Sequence, residues 1–335
     1  MQEKGGQSTF SKETREGIRK LQTRNNTTNL FFIAFDWAVI IGAIALSQMV
    51  GGMITYLIAV FLIASRQRAF DNLTHEASHN SLFKNKTMNN WLGMLFASFP
   101  IFTSLSAYRV SHFTHHKHLS EEIDPDLIRY KLFGLENPPQ KKWVFILKHM
   151  IKPLTLIHVP RYIYGTLSSF IFSKEIPLKE QLGRLAYWAV VITAAVLTGH
   201  GLDLVLYWVV PYVTVLQVIR YYAEMSEHAG IMEEPDPLFK TRNVFGNILF
   251  LKLFYPHKDH FHLIHHLYAG IPHYNMHAAH QILMQEPEYC KAKHCIGYFT
   301  SPYQGVNCVL DDIRLRGIRK HVFSVNNVNG MTKAF

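Results

Sequence analysis

Three short histidine clusters are the part of this chain whose residue types and spacing can do chemistry. Spacings of three and four residues place the histidines of a cluster on one face of a helix. Imidazole nitrogen is a common protein ligand for iron, zinc and copper, so the clusters predict a metal site. The members are His75 and His79 in the first cluster, His112, His115 and His116 in the second, and His262, His265 and His266 in the third.

The number of histidines predicts two metal ions rather than one. One ion usually takes about four to six ligands, and a reactive ion leaves a position open. Eight clustered imidazoles therefore exceed what one ion needs. Neutral nitrogen ligands leave a di-metal centre highly cationic, so nearby carboxylates should orient the rings and offset the charge. We expect that role for Glu76, Glu227 and Asp259.

The elements that must position these clusters are apolar enough to lie in a membrane. The chain is 48% hydrophobic and 17% charged, which is charge-poor for a soluble protein. Residues 30–65 and 185–219 each carry a single charged side chain and are long enough to cross a bilayer of about 30 Å twice. Gly51-Gly52 and residues 198–201 supply the breaks. The sequence predicts two transmembrane helical hairpins, which make four spans.

The basic residues predict the orientation of these hairpins. All 34 Lys and Arg residues lie outside the two hairpins. Under the positive-inside bias, the hairpin tips face away from the cytoplasm, and both termini and all three clusters face it. The net charge of +10 fits contact with anionic lipid head groups, and its even spread along the chain argues against nucleic-acid binding.

The predicted fold is an all-α membrane protein with two transmembrane helical hairpins and a cytoplasmic helical cap that carries a histidine-rich di-metal site. Residues 91–107 lie between two clusters that must share one side of the membrane, so we expect a re-entrant or interfacial segment there, or a soluble-core helix. The predicted parts are a cytoplasmic N-terminal segment at 1–29, hairpin 1 at 30–65, the cap with the first two clusters at 66–184, hairpin 2 at 185–219, and the cap with the third cluster and the C-terminal tail at 220–335.

The clusters and hairpins together resemble the integral-membrane fatty acid desaturase and hydroxylase superfamily. The family pattern is H-x(3,4)-H, H-x(2,3)-H-H and a late H-x(2,3)-H-H, interleaved with two transmembrane hairpins. Residues 30–283 of this chain resemble that pattern in order, spacing and topology. Further phrases that agree with it are His75-Glu-Ala-Ser-His-Asn-Ser-Leu-Phe83, Asp124-Pro-Asp126 and His265-His-Leu-Tyr-Ala-Gly-Ile-Pro-His-Tyr-Asn275.

The resemblance adds two residues to the predicted site. It implies a ninth metal ligand just after the second hairpin, where this chain has His228. Some relatives carry an Asn one helical turn earlier, and this chain has Glu224 there. A carboxylate at that position either binds metal directly or holds a neighbouring ring, and both alternatives stay open.

The resemblance also implies the reaction. The cofactors would be two iron ions, with dioxygen as co-substrate, and the enzyme would be an oxidoreductase that forms a carbon–carbon double bond in a fatty-acyl or lipid-like chain. The chain has no His-Pro-Gly-Gly haem signature, so the electrons should come from a separate ferredoxin, or a cytochrome with its reductase. A hydroxylase, acetylenase or other oxygenase of the superfamily remains an alternative, because the outcome depends on how the substrate carbon is placed.

Two rival functions start from single features of the sequence. His75-Glu76-x-x-His79 fits the H-E-x-x-H pattern of zinc metalloproteases, with Glu76 as general base, but leaves both H-x-x-H-H clusters unexplained. The second rival is a non-enzymatic metal carrier, which would place its metal ligands inside its membrane spans. The predicted spans contain no histidine except His200, which lies at a hairpin tip.

Overall fold

The computed structural model describes residues 10–316, which are mostly helical. Residues 1–9 of the predicted N-terminal segment and residues 317–335 of the predicted C-terminal tail lie outside the described residues. The α-helices in chain order are α1 Lys12–Leu21, α2 Thr28–Val50, α3 Met53–Ser78, α4 Lys86–Gly93, α5 Leu105–Lys117, α6 Pro125–Phe133, α7 Lys142–Phe145, α8 Val159–Thr166, α9 Leu178–Leu197, α10 Gly201–Leu204, α11 Val210–Val213, α12 Val215–His228, α13 Ile248–Phe254, α14 His262–Leu267, α15 Met276–Leu283, α16 Pro287–Cys290 and α17 Val309–Arg314.

Shorter helical turns of other types connect several of these helices. The π-helical stretches are Met94–Ser98, Ile146–Ile151, Leu167–Ile171 and Val205–Val209. The 3₁₀ turns are Lys152–Thr155, Pro237–Phe239, Pro256–Lys258 and His273–Asn275.

A small parallel sheet departs from the all-α prediction. Strand β1, Arg242–Phe245, pairs in parallel with strand β2, Lys293–Ile296. Each strand has four residues, too few for an alternating pattern to stand out, and the partners are far apart in sequence. The sheet also positions the third histidine cluster, because Asn243 Oδ1 in β1 accepts a hydrogen bond of 3.1 Å from the backbone N–H of Leu263 in α14.

The chain divides into two compact units. The span unit comprises Arg24–Phe113 and Ile151–Tyr222. Among the described residues, the terminal unit comprises 10–23, Thr114–Met150 and 223–316. The core of the terminal unit joins side chains from α1, β1, α14 and α15, so the third histidine cluster lies on a helix packed into that core.

Three helices of the described chain are long and apolar enough to cross a membrane. They are Thr28–Val50, Met53–Ser78 and the nearly continuous Gly201–His228. Helix α9 corresponds to the other predicted span, and it has Lys179, Glu180 and Arg184 in its first two turns. Helix α3 continues past residue 65, the predicted end of hairpin 1, to Ser78. Its polar residues from Arg66 to Asn72 are largely buried, and no Gly or Pro interrupts them.

The first hairpin breaks where the sequence predicts it. Gly51 and Gly52 have φ of 71° and 86°, a left-handed region that glycine enters without steric cost. The one charged residue of the predicted hairpin, Asp36, is fully buried and lies 2.9 Å from the Arg66 guanidinium in α3. Pairing is what a charge in an apolar span requires.

The segment at residues 91–107 contains no continuous helix. Helix α4 ends at Gly93, and a π-helical stretch and a break precede α5. A Cβ at Gly93 would lie 2.7 Å from Ala77 Cβ, so only glycine allows α4 to approach α3 this closely. The Trp208 indole donates a hydrogen bond of 2.9 Å to the Pro100 carbonyl at the break. The placement of this segment at a membrane surface stays a prediction.

Candidate metal centre

Three predicted histidine ligands converge in the span unit. His75 and His79 come from the C-terminal end of α3, and His112 comes from α5. The Nε2 atom of His112 lies 2.9 Å from Nε2 of His75 and 2.9 Å from Nε2 of His79. The three rings meet edge to face, which directs their nitrogens to a common point.

Four predicted ligands converge in the terminal unit. Candidate ligand atoms of His115, His228, His262 and His266 all lie within 4.8 Å of one another, and all four residues are buried. The Nε2 atom of His266 is 3.3 Å from that of His115 and 3.1 Å from that of His262. The Nε2 atoms of His262 and His228 are 3.0 Å apart. His228, which only the family resemblance suggested, therefore lies with the cluster histidines.

The remaining two predicted ligands form a pair. The Nε2 atoms of His116 and His265 lie 2.8 Å apart. The His116 ring also stacks on the His266 ring, with 4.5 Å between centroids. Both residues belong to the terminal unit, beside the group of four.

The spacing of these nitrogens fits metal coordination. Two nitrogens that each lie about 2.1 Å from one ion, at right angles, are about 3.0 Å apart. The nitrogen pairs above are 2.8 to 3.3 Å apart. A donor set made almost only of imidazole suits iron, zinc and copper rather than magnesium or calcium.

Helix α5 carries the whole second cluster, and a buried carboxylate fixes where it begins. Ser104 precedes the helix, and its hydroxyl accepts from the backbone N–H of Ala107. Glu180 of α9 accepts hydrogen bonds from the Ser104 hydroxyl, at 2.7 Å, and from the backbone N–H of Ser106. A carboxylate at a helix N-terminus is favourable because it meets unpaired N–H groups and the positive end of the helix dipole.

Two histidines are oriented by partners that the sequence analysis did not assign to them. His115 Nδ1 donates a hydrogen bond of 2.9 Å to Oδ1 of Asp124, which is fully buried. His228 Nδ1 donates one of 2.8 Å to the Lys240 carbonyl. In each case Nε2 is left as the ligand atom, the usual arrangement around a metal. The Asp-Pro-Asp phrase after the second cluster was the available signal for Asp124.

Burial and neighbouring charge set the protonation of these rings in opposite ways. Burial lowers the pKa of His266 well below its usual value, and the surrounding histidines lower it further. The neutral ring that results is the form that binds metal. Burial also acts to lower the pKa of His115, but the carboxylates of Asp126 and Asp124 outweigh it, and the pKa is raised.

The predicted carboxylates have different surroundings. Glu227 lies 3.8 Å from His262 Nε2, and oxygens of Glu227 and Asp259 lie within 4.8 Å of the candidate ligand atom of His262. Glu224 lies 3.3 Å from Nε of Arg129, which also binds Asp126.

Glu76 is buried in α3, next to His75. Its backbone carbonyl accepts from Ser81. Glu227 and Asp259 lie beside His262, Asp124 lies beside His115, and Glu224 pairs with Arg129.

We predict that Asp124→Asn weakens metal retention. The amide still accepts from His115 but removes the negative charge behind the ring, and changes of this type typically cost about 10- to 100-fold in metal affinity. Metal content after dialysis against chelators of increasing strength measures the effect. Glu122→Gln is the matched control, because Glu122 is exposed nearby and pairs with Lys131. Equal metal retention by Asp124→Asn and the control would contradict the assigned role.

Comparisons with known proteins agree with the histidine pattern. The family model described as fatty acid desaturase matches residues 19–299. The dihydrorhizobitoxine desaturase of Bradyrhizobium elkanii is 33% identical over 321 residues, which covers 92% of this chain and 90% of that protein. An sn-1 acyl-lipid omega-3 desaturase (ferredoxin) of Synechocystis sp. is 34% identical over 90 residues, which covers 27% of this chain and 24% of that protein.

Proposed function

Because this chain belongs to the fatty acid desaturase family, we propose that it is a membrane-bound, dioxygen-dependent di-iron desaturase. The observation that carries the proposal is the convergence of the nine predicted histidine ligands into groups whose nitrogens have metal-like spacing. Membership of this family argues against the zinc protease and metal carrier alternatives.

We assign the histidines to two iron ions by counting ligands. His115, His228, His262 and His266 form a complete set of four nitrogens, which is enough for one ion. The other predicted ligands exceed what that ion needs, so we infer a second ion; they are His75, His79, His112, His116 and His265. Glu227 and Asp259 would offset the charge beside His262, and Asp124 would hold the His115 ring.

The reaction balances with one dioxygen and two electrons. Two hydrogens leave adjacent carbons of the substrate, two electrons and two protons come from outside, and dioxygen becomes two water molecules. Bound iron supplies the activation of dioxygen. The chain contributes imidazole donors whose rings are held by Asp124 and the Lys240 carbonyl, and the burial of the group of four keeps bulk water away from it.

We further propose four membrane spans with both termini and all histidine clusters on the cytoplasmic side. The support is the absence of Lys and Arg from residues 30–65 and 185–219, with basic residues just beyond each. The polar first turns of α9 would then lie in the head-group region, where long basic side chains reach water.

Cysteine labelling tests this topology. A cysteine introduced at Gly51 or Gly201 should react with a membrane-impermeant reagent added outside the cell, and one at Asn85 or Lys240 should not. The native Cys290, Cys295 and Cys308 are buried and should give little background. Outside labelling at Asn85 would place the segment between the first two clusters outside the cell. That result would contradict the proposed orientation.

Two substrate classes are supported by different relatives. The family favours a fatty-acyl or lipid-like chain. The relative that matches along 92% of this chain is named for dihydrorhizobitoxine, so a substrate of that kind is the second candidate. The other relative's name includes ferredoxin, which supports a separate small electron donor for this chain.

Mass spectrometry of cells with and without the full-length chain tests the function. Lipid extracts and cells supplied with dihydrorhizobitoxine are compared, with a ferredoxin and its reductase co-expressed. We expect a product that is lighter than its substrate by two hydrogen atoms and absent with His265→Ala. A product heavier by one oxygen atom would contradict desaturation and point to a hydroxylase.

A further inference from the structure

Arg109 in α5 binds the C-terminal end of α3. Its Nε donates a hydrogen bond of 2.9 Å to the Ser78 carbonyl, and its Nη2 donates one of 3.0 Å to the Ala77 carbonyl. The same Nη2 donates to the Asn90 side-chain oxygen at 3.1 Å. The guanidinium therefore joins α5, α3 and α4 within the span unit.

These hydrogen bonds pair backbone carbonyls at the C-terminal end of α3. The last carbonyls of an α-helix have no partner within the helix, and a cation there is favoured by the helix dipole. Ala77 and Ser78 are the last two residues of α3. The fully buried Asn89 donates a further hydrogen bond of 2.9 Å to the Ala77 carbonyl, so this end of α3 is held from two sides.

The position of Arg109 links this contact to the histidines. Arg109 lies three residues before His112 on α5, and Ser78 directly precedes His79 on the chain. The contact is therefore made within a turn of the point where the nitrogens of His79 and His112 approach to 2.9 Å. A shift of one residue along a helix moves a side chain by about 1.5 Å. Metal–ligand distances tolerate only about 0.2 Å, so the relative placement of α3 and α5 must be fixed closely.

We propose that Arg109 is a positioning residue for the metal ion that His75, His79 and His112 would hold. The planar guanidinium of Arg109 donates to two successive carbonyls of α3 at once. This double contact sets both the separation and the register of α3 and α5. A lysine ammonium is a single point of charge and reaches fewer of these acceptors in a fixed geometry. The inference rests on the proposed function, because it requires that these histidines bind metal.

Cobalt titration of the full-length chain tests the inference without relying on turnover. The protein is purified in lipid nanodiscs, its metal is removed with a chelator, and Co²⁺ binding is followed by visible absorption and by the rise in melting temperature. We compare the native chain with Arg109→Met and Arg109→Lys. The control is Lys86→Met, which removes an exposed charge from α4 in the same unit.

We expect the native chain and the control to bind two Co²⁺ ions. Arg109→Met should bind Co²⁺ with native affinity at one site and with about 10- to 100-fold lower affinity at the other. The rise in melting temperature on adding Co²⁺ should be smaller than in the native chain. Arg109→Lys should give an intermediate loss at the same site, which keeps the test open if Arg109→Met does not fold.

Native affinity at both sites in Arg109→Lys and Arg109→Met would overturn the inference, and so would an equal loss at both sites. Failure of the native chain to bind two ions would instead contradict the proposed di-metal function.

Discussion

Replacing His265 by Ala is expected to abolish turnover while the chain stays in the membrane. His265 is buried and its Nε2 lies 2.8 Å from that of His116, so the change removes a proposed iron ligand. Replacing a residue that hydrogen-bonds to a metal ligand typically lowers metal affinity or activity by about 10- to 100-fold. Loss of the ligand itself should lower activity by at least about 100-fold. Insertion depends on the apolar helices, which the substitution leaves unchanged. Product formation per amount of membrane-bound protein is the measurement.

His200→Ala is the matched control for this prediction. His200 lies between α9 and α10, is exposed, and binds Asp203 at 2.7 Å. It belongs to none of the candidate metal groups among the described residues. We expect its replacement to leave turnover near the native level. Equal losses with His200→Ala and His265→Ala would contradict the ligand assignment.

Replacing Asp312 by Ala is expected to destabilise the terminal unit strongly. Asp312 and Arg242 are both fully buried, with 3.0 Å between Oδ2 and Nη2, and Arg242 also donates to the carbonyls of Ser226 and Ala229. Removing one partner leaves an uncompensated buried charge, which costs about 3–5 kcal/mol. At about 2–4 °C per kcal/mol for a domain of this size, the melting temperature should fall by roughly 10 °C. Thermal unfolding in nanodiscs measures the shift.

The neighbouring residue provides the control. Asp311 pairs with Arg314 near the surface, with a side chain that is 35% exposed. Exposed pairs of this kind contribute about 0.2–1 kcal/mol, so Asp311→Asn should shift the melting temperature by no more than a few degrees. A similar small shift with Asp312→Ala would show that the Arg242 pair is not an important support of this unit.

The histidine groups were predictable because their spacing is local. Residues three and four apart share a helix face, so His262, His265 and His266 could be placed together without knowing the rest of the fold. The first hairpin was predictable for a similar reason, since apolar composition and the Gly51-Gly52 pair are read over short distances. The structure groups these histidines by long-range packing, which spacing alone does not give.

What the sequence analysis missed depends on contacts between distant segments. The β1–β2 pairing joins residues about fifty positions apart, and four-residue strands carry no usable period. Arg109 and Asp124 are single polar residues whose roles come from the partners that packing provides. The continuation of α3 past residue 65 likewise depends on a partner in another helix, since Arg66 pairs with Asp36 of α2.

Metal analysis of active protein tests the central claim most directly. The full-length chain is purified after growth in iron-supplemented, zinc-poor medium, and iron and zinc are counted by mass spectrometry alongside product formation by the same preparation. The nine predicted histidine ligands lead us to expect about two iron atoms per chain, with activity that rises in proportion to iron. A preparation that is fully active with one zinc and no iron would contradict the di-iron account.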